Sequence, residues 1–109
     1  MASSLKEKHC TVCKPGTPAL TQKRIDSLIA QLSGWKQQEG QIARTFKFED
    51  YHHTMAFVNA VAWVAHREDH HPDMEVGYNR CKVRFSTHSV GGLSENDFIC
   101  AAKVDALSA

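Results

Sequence analysis

Apolar residues recur along this chain at a helical spacing in some stretches and at an alternating spacing in others, and the switches mark the elements. Ile25, Leu28, Ile29 and Leu32 follow the i, i+3, i+4, i+7 rule of an amphipathic helix, with Thr21 placed to cap its start and Gly34 its end. Trp35 to Glu39 and Gln41 to Phe48, separated by Gly40, predict a hairpin. Ile42, Arg44, Phe46 and Phe48 share one side of its second strand and Ala43, Thr45 and Lys47 the other. Arg44 breaks the apolar alternation and leaves the register open. Asp50 can cap a second helix running to about Glu68, with Met55, Val58, Ala62 and Ala65 as its apolar stripe and Phe57, Val61 and Val64 widening it. So broad a face, with small alanines on it, predicts a central helix close against a sheet. Pro72 disfavours helical geometry at His71 and so places His70-His71-Pro72 just beyond the helix end.

Met74 to Tyr78 and Cys81 to Ser86 alternate as a second hairpin about an Asn79-Arg80 turn. Val90-Gly91-Gly92-Leu93 reads as a flexible loop. Ser94, with Asp97 three residues later, resembles a capping box opening a third helix that carries Phe98, Ala101, Ala102, Val104 and Leu107. The order α-β-β-α-β-β-α predicts an α+β domain in which three helices cover one face of an antiparallel sheet. Its uncovered edges or face would suit self-association. Residues 1–19 hold Cys10, Cys13, Pro15, Gly16 and Pro18 and read as an irregular arm ahead of a domain spanning residues 20–109.

Composition narrows the function. The 109 residues are 42% hydrophobic, which suffices for one modest core. Thirteen basic against twelve acidic residues leave no broad positive field, so nucleic-acid binding by bulk electrostatics is not expected. No apolar run reaches membrane-spanning length and MASSLKEKH lacks the apolar core of a signal peptide, so a cytoplasmic protein with no membrane partner is expected. Its four cysteines then read as thiols rather than disulfides, with Cys81 and Cys100 as small buried hydrophobes. Histidine is the unusual component: five of the seven, His52, His53, His66, His70 and His71, fall within twenty residues.

His66 and His70 have the i, i+4 spacing that lets two imidazoles share a metal, but the H-E-x-x-H arrangement is absent and further ligands are not evident. The simpler reading of His66 is a solvated residue near a helix C-terminus. His88 follows the last strand, and folding the second hairpin about its turn returns Ser86–His88 towards His71–Asp73. His70, His71 and His88 then converge at loop ends, near the acid Asp97 at a helix start. An isolated exposed histidine is usually inert; several around one ligand can remove a proton at one atom while protonating a leaving hydroxyl at another. That chemistry is elimination of water or isomerisation without metal or redox cofactor. No nucleophile elbow and no glycine-rich phosphate loop competes with it.

His70-His71-Pro72, five residues to Tyr78, nine to His88 and eight to Asp97 resemble the pattern of the pterin-4a-carbinolamine dehydratases. Gly34-Trp35, Phe46-Lys47-Phe48, Tyr78-Asn79, Ser86-Thr87-His88 and Gly92-Leu93-Ser94-Glu95-Asn96-Asp97 extend the resemblance over roughly residues 20 to 108. It implies a four-stranded antiparallel sheet with three helices on one side. It also implies a hydro-lyase that converts 4a-hydroxytetrahydropterin to quinonoid dihydropterin, in tetrahydrobiopterin recycling after aromatic amino acid hydroxylation. Carried over by motif, His70, His71 and His88 are catalytic and Asp97 is the site acid. Pro72 and the stretch Thr87, Ser89 and Val90 would hold the substrate, the latter through backbone. His70 and His88 would move protons at the 4a-hydroxyl and the ring nitrogen, while His71 holds the substrate. The pterin is then substrate rather than cofactor, no metal is expected, and a homodimer or homotetramer is implied.

His66 stands where the family commonly has an acidic residue, and the Cys10-x-x-Cys13 arm resembles bacterial-type members. One C-x-x-C is short of the four ligands of a closed zinc site, so a docking arm is the preferred reading. The rival function is a non-enzymatic protein-binding module, a dimerisation cofactor or assembly chaperone on the same fold. Retention of all three histidines favours the enzyme.

Overall fold

The computed structural model describes residues 5–14 and 16–107. A 3-10 turn, Leu5–Glu7, is followed by helix α1 (Gln22–Ile29), strands β1 (Lys36–Gln38) and β2 (Gln41–Lys47), and helix α2 (Tyr51–Glu68). Strands β3 (Asp73–Val76) and β4 (Arg80–Phe85), a 3-10 turn at His88–Val90 and helix α3 (Glu95–Leu107) complete it. The strands form one antiparallel sheet in the order β1-β2-β4-β3, so α2 carries the chain past β4 to the far edge. This is the α+β architecture that the alternation of periods predicts. No helix among the described residues is long and apolar enough to cross a membrane.

Register decides which face is covered. Ile42 pairs with Phe85, Arg44 with Val83 and Phe46 with Cys81, while Met74 lies opposite Val83 from the other side. Ile42, Phe46, Cys81, Val83 and Phe85 therefore share one face, where they join Ile25 and Leu28 of α1, Phe57 and Val61 of α2 and Phe98 and Val104 of α3 in one core. Each such fully buried side chain is worth about 1.5–3 kcal/mol before chain entropy is charged against it. The opposite face carries Lys36, Thr45, Lys47, Lys82, Arg84 and Glu75.

Arg44 sits on the covered face without upsetting the register. Its guanidinium lies 4.4 Å from the centre of the Phe46 ring and donates to Asp105 Oδ1 (2.7 Å) and the Ser33 carbonyl (2.8 Å). Trp35 Nε1 donates to the same Asp105 oxygen at 2.8 Å. Arg44 packs its stem inward and places its charge on a carboxylate of α3. Gly34 is held at φ +79°, and a Cβ there would come 3.0 Å from Arg44 Nε.

Several local expectations shift. Helix α1 ends at Ile29, and Gln31 and Leu32 close tighter turns before Gly34. Glu39 and Gly40, both at positive φ, form the two-residue turn of the first hairpin. The second hairpin turns at Tyr78-Asn79, not Asn79-Arg80, because Gly77 N–H bonds to the Arg80 carbonyl (2.8 Å). Phe48 N–H on Asn79 O (2.8 Å) and the Thr54 hydroxyl on Tyr78 O (2.9 Å) pin that turn, and Tyr78 is exposed rather than alternating inward. The buried stripe of α2 is Thr54, Phe57, Val61 and Ala65, whereas Ala62 is exposed. The most enclosed helix is α3, buried continuously from Asn96 to Ala101, so α2 is not the central helix.

The N-terminal arm provides that enclosure. Leu5 is in the core, and Thr11 exchanges backbone bonds with the Asn96 side chain at 3.1 and 2.7 Å. Glu68, at the end of α2, accepts from Cys10 N–H (2.7 Å), bonds the His9 ring (3.0 Å) and lies 3.8 Å from the Lys103 ammonium. Burial pushes the Glu68 pKa up, but the Cys10 N–H, the His9 ring and Lys103 together hold it below its ordinary 4.5. A depressed folded pKa stabilises fully above the unfolded value and loses that contribution as pH falls through the folded one. Glu68→Gln is therefore expected to be less stable than wild type near neutrality, with the gap closing as acidification passes below about pH 4.5. Urea unfolding across that range checks it, and a gap independent of pH would contradict it.

Candidate active site

The site grows from the end of α2. Asp69 adopts the left-handed conformation (φ 51°, ψ 42°), and His70 N–H bonds back to the Ala65 carbonyl at 3.2 Å, which turns the chain sharply off the helix axis. His70 thus leaves the helical face it would have shared with His66. His66 stays exposed, stacked 6.4 Å from the Trp63 ring, so the pair does not present two imidazoles to one ion. The His70 side chain turns inward, 12% exposed, with its ring parallel to Phe85 at 6.0 Å.

Its Nε2 meets Asp97 Oδ1 at 2.6 Å. Asp97 lies in the first turn of α3, fully buried, where the helix N-terminus favours negative charge. Its other oxygen, Oδ2, accepts the Thr87 hydroxyl (2.8 Å) and the Ser94 N–H (2.9 Å), and the Thr87 and Ser94 hydroxyls lie 2.8 Å apart. The Ser94–Asp97 pair is half of a capping box: the acid reaches back to the Ser94 N–H, while the serine hydroxyl turns to Thr87. The carboxylate thus engages the His70 ring through Nε2 rather than Nδ1.

Thr87 joins this buried network to His88. Its N–H bonds to Gly92 O (2.8 Å), the Gly92 N–H returns to Thr87 O (3.4 Å), and Gly91 at φ +68° closes the 3-10 turn on His88 O. Leu20 N–H on Leu93 O (2.9 Å) ties the far side to the chain ahead of α1. The 90–93 segment is thus a hydrogen-bonded turn rather than a flexible loop. His88 is exposed on its rim and borders a cavity of about 280 Å³ that Glu39, Gly40 and Gln41 of the first hairpin also line.

The sequence-derived residues distribute unevenly. His70, Asp97 and Thr87 are in direct contact, and His88 follows Thr87 in the chain. His71, His88 and Ser89 are exposed, and Pro72 and Val90 are half-buried. The three imidazoles do not crowd one point: among the described residues, Glu49, Asp50 and His53 are the one trio of such groups with ligand atoms within 4.8 Å. In that surface trio Asp50 caps α2, and bonds to His53 hold its carboxyl low and the imidazole high. Ser94, Phe85 and the Glu39–Gln41 turn are additional site residues. Only Ser94 had a signal in the sequence, its spacing from Asp97.

Residues 18–107 match the family model for pterin 4 alpha carbinolamine dehydratase. The chain belongs to this family. A relative from Nitrosomonas eutropha, provisionally named pterin-4-alpha-carbinolamine dehydratase, is 58% identical over 104 residues, covering 94% of this chain and 92% of its own. One from Stenotrophomonas maltophilia with the same provisional name is 57% identical over 106 residues, covering 95% and 91%. Among solved structures, a transcriptional coactivator/pterin dehydratase from Brucella melitensis has a TM-score of 0.80 and 33% identity, over 84% of this chain and 99% of its own. A pterin dehydratase-like protein identified as a RuBisCO assembly factor in the alpha-carboxysome has a TM-score of 0.59 and 27% identity, over 69% and 89%. The family span holds every histidine and acid of the network above; Cys10 and Cys13 lie outside it.

Proposed function

We propose that this protein catalyses loss of water from a 4a-hydroxytetrahydropterin to give the quinonoid dihydropterin. The carrying observation is Asp97, which grips the His70 ring through one oxygen and, through the other, the Thr87 hydroxyl next to His88. In the elimination the C4a–O and N5–H bonds break, a C4a=N5 bond forms, and the hydroxyl leaves as water. One imidazole takes the ring proton and another protonates the departing hydroxyl. His70 and His88 take these two roles, in an order left open, and His71 holds the substrate from the same loop end. Pro72 keeps that loop extended.

The planar, amide-like ring would lie against the turn carrying Thr87, Ser89 and Val90, beside the cavity that Thr87 and His88 line. The reaction moves no electrons out of the pterin, so it calls for no redox cofactor, and two imidazoles suffice to carry both proton transfers. An aromatic amino acid hydroxylase is the class of enzyme that supplies this carbinolamine, and a cytoplasmic homodimer or homotetramer is the form in which we expect it to act. The likeness to the RuBisCO assembly factor favours a second reading, a protein-binding module on this fold.

Titration with 7,8-dihydrobiopterin, a stable analogue, separates the two. Saturable binding at one site per chain, weakened at least about 10-fold in His88→Ala, is expected for the enzyme. No saturable binding by folded wild type would favour the module.

A further inference from the structure

The N-terminal arm places a half-buried thiol against a fully buried one. Cys10 Sγ lies 3.4 Å from Cys100 Sγ, across 90 positions of sequence. Three backbone attachments fix the arm there: Cys10 N–H on Glu68 and the two bonds between Thr11 and the Asn96 side chain. The other half of the Cys-x-x-Cys pair faces elsewhere, with Cys13 Sγ 3.7 Å from Asn96 Nδ2. A buried cysteine is ordinarily an inert small hydrophobe. Cys100 differs in having as its hydrogen-bonding neighbour a second sulfur, that of the half-buried Cys10.

We propose that Cys10 and Cys100 form a reversible oxidation site for hydroperoxides, whose product is a disulfide fastening the N-terminal arm to α3. The two thiols have unequal parts. Cys100 is held as the neutral thiol by its hydrogen bond with Cys10 and by burial. Cys10, nearer solvent, is the sulfur the oxidant reaches. Its thiolate attacks the peroxide oxygen, the O–O bond breaks, and a sulfenic acid and an alcohol (or water) result after proton uptake. The Cys100 sulfur then attacks the Cys10 sulfenic sulfur, its proton leaving with the hydroxyl as water. Two thiols are oxidised, one peroxide is reduced, and a thiol reductant returns the pair to its starting state. Closing the sulfurs to a bonded distance of about 2.05 Å takes a little over 1 Å of arm movement.

The product would close a loop through nearly the whole domain and so restrict the unfolded chain most strongly. The test treats the full chain with limiting hydrogen peroxide and reads three things. Intact mass should fall by two hydrogens, peptide mapping should join the Cys10 and Cys100 peptides, and the melting temperature should rise by more than about 5 °C. Dithiothreitol should reverse all three, and Cys13→Ser protein should behave as wild type. A Cys10–Cys13 bridge, or oxygen addition at Cys10 with Cys100 left as a thiol, would overturn the proposal. So would a Cys10–Cys100 bridge that leaves the melting temperature unchanged.

Discussion

Asp97→Ala is expected to lower the unfolding free energy by about 3–5 kcal/mol. The carboxylate is fully buried and is the shared acceptor for the His70 ring, the Thr87 hydroxyl and the Ser94 N–H. Truncation leaves three donors facing a void at the start of the most enclosed helix. Thr87 and Ser94 can still bond each other, but His70 and the Ser94 N–H have no substitute acceptor in this network. For a domain of this size the loss corresponds to a fall in melting temperature of about 15 °C or more. Asp97→Asn keeps the shape and one carbonyl oxygen but turns an amide N–H₂ towards a donor, so a loss of about 1–3 kcal/mol is expected. Urea unfolding of both variants checks the order; a change below about 1 kcal/mol in Asp97→Ala would mean that the network carries little.

His70→Ala is expected to lower kcat for carbinolamine dehydration by about 10²-fold or more, the range for removing a positioned acid or base. KM should change much less, because the imidazole is held by protein rather than offered as a binding surface. Two controls isolate the chemistry from folding. His70→Ala strips one partner from Asp97 and leaves two, so it should cost less stability than Asp97→Ala. His71→Ala, at an exposed position outside this network, should raise KM more than it lowers kcat. Steady-state kinetics with an in situ hydroxylase source measures both. Equal losses of kcat in His70→Ala and His71→Ala would contradict the distinct role given to His70.

The elements were legible where hydrophobic period and caps coincide. Asp50 opens α2, the Ile42–Phe46 and Cys81–Phe85 alternations fall in strands as read although their pairing with each other was not, and Ser94 with Asp97 marks the start of α3. The misplacements share a cause: polar groups that are buried because they are satisfied. Thr54 is fully buried by giving its hydroxyl to Asp50 O and Tyr78 O, which a scale of hydrophobicity scores as surface. The second turn falls at Tyr78-Asn79 through the Gly77 N–H bond to Arg80 O, with Thr54 on Tyr78 O and Phe48 on Asn79 O pinning it. Arg44 reads as a break in a strand until Asp105, 61 residues away, supplies its counter-charge.

The site was legible as a set of histidines and an acid, not as an arrangement. Spacing ties Ser94 to Asp97 but gives no sign that Asp69 adopts a left-handed conformation and swings His70 inward, or that the Thr87 hydroxyl joins the shell of Asp97. The arm was illegible for a different reason. Among its described residues it places Leu5 in the core and Cys10 against it, and holds on otherwise through backbone bonds to Glu68 and Asn96, which leave no periodic trace.

The central claim is that a ring gripped by Asp97 and a second imidazole on the adjoining turn remove water from a pterin carbinolamine. The decisive measurement is the decay of 4a-hydroxytetrahydropterin, generated in situ, with buffer alone, wild type and His88→Ala. Acceleration by wild type that falls at least about 10-fold in the variant is the predicted result. Decay at the buffer rate with folded wild-type protein would contradict it.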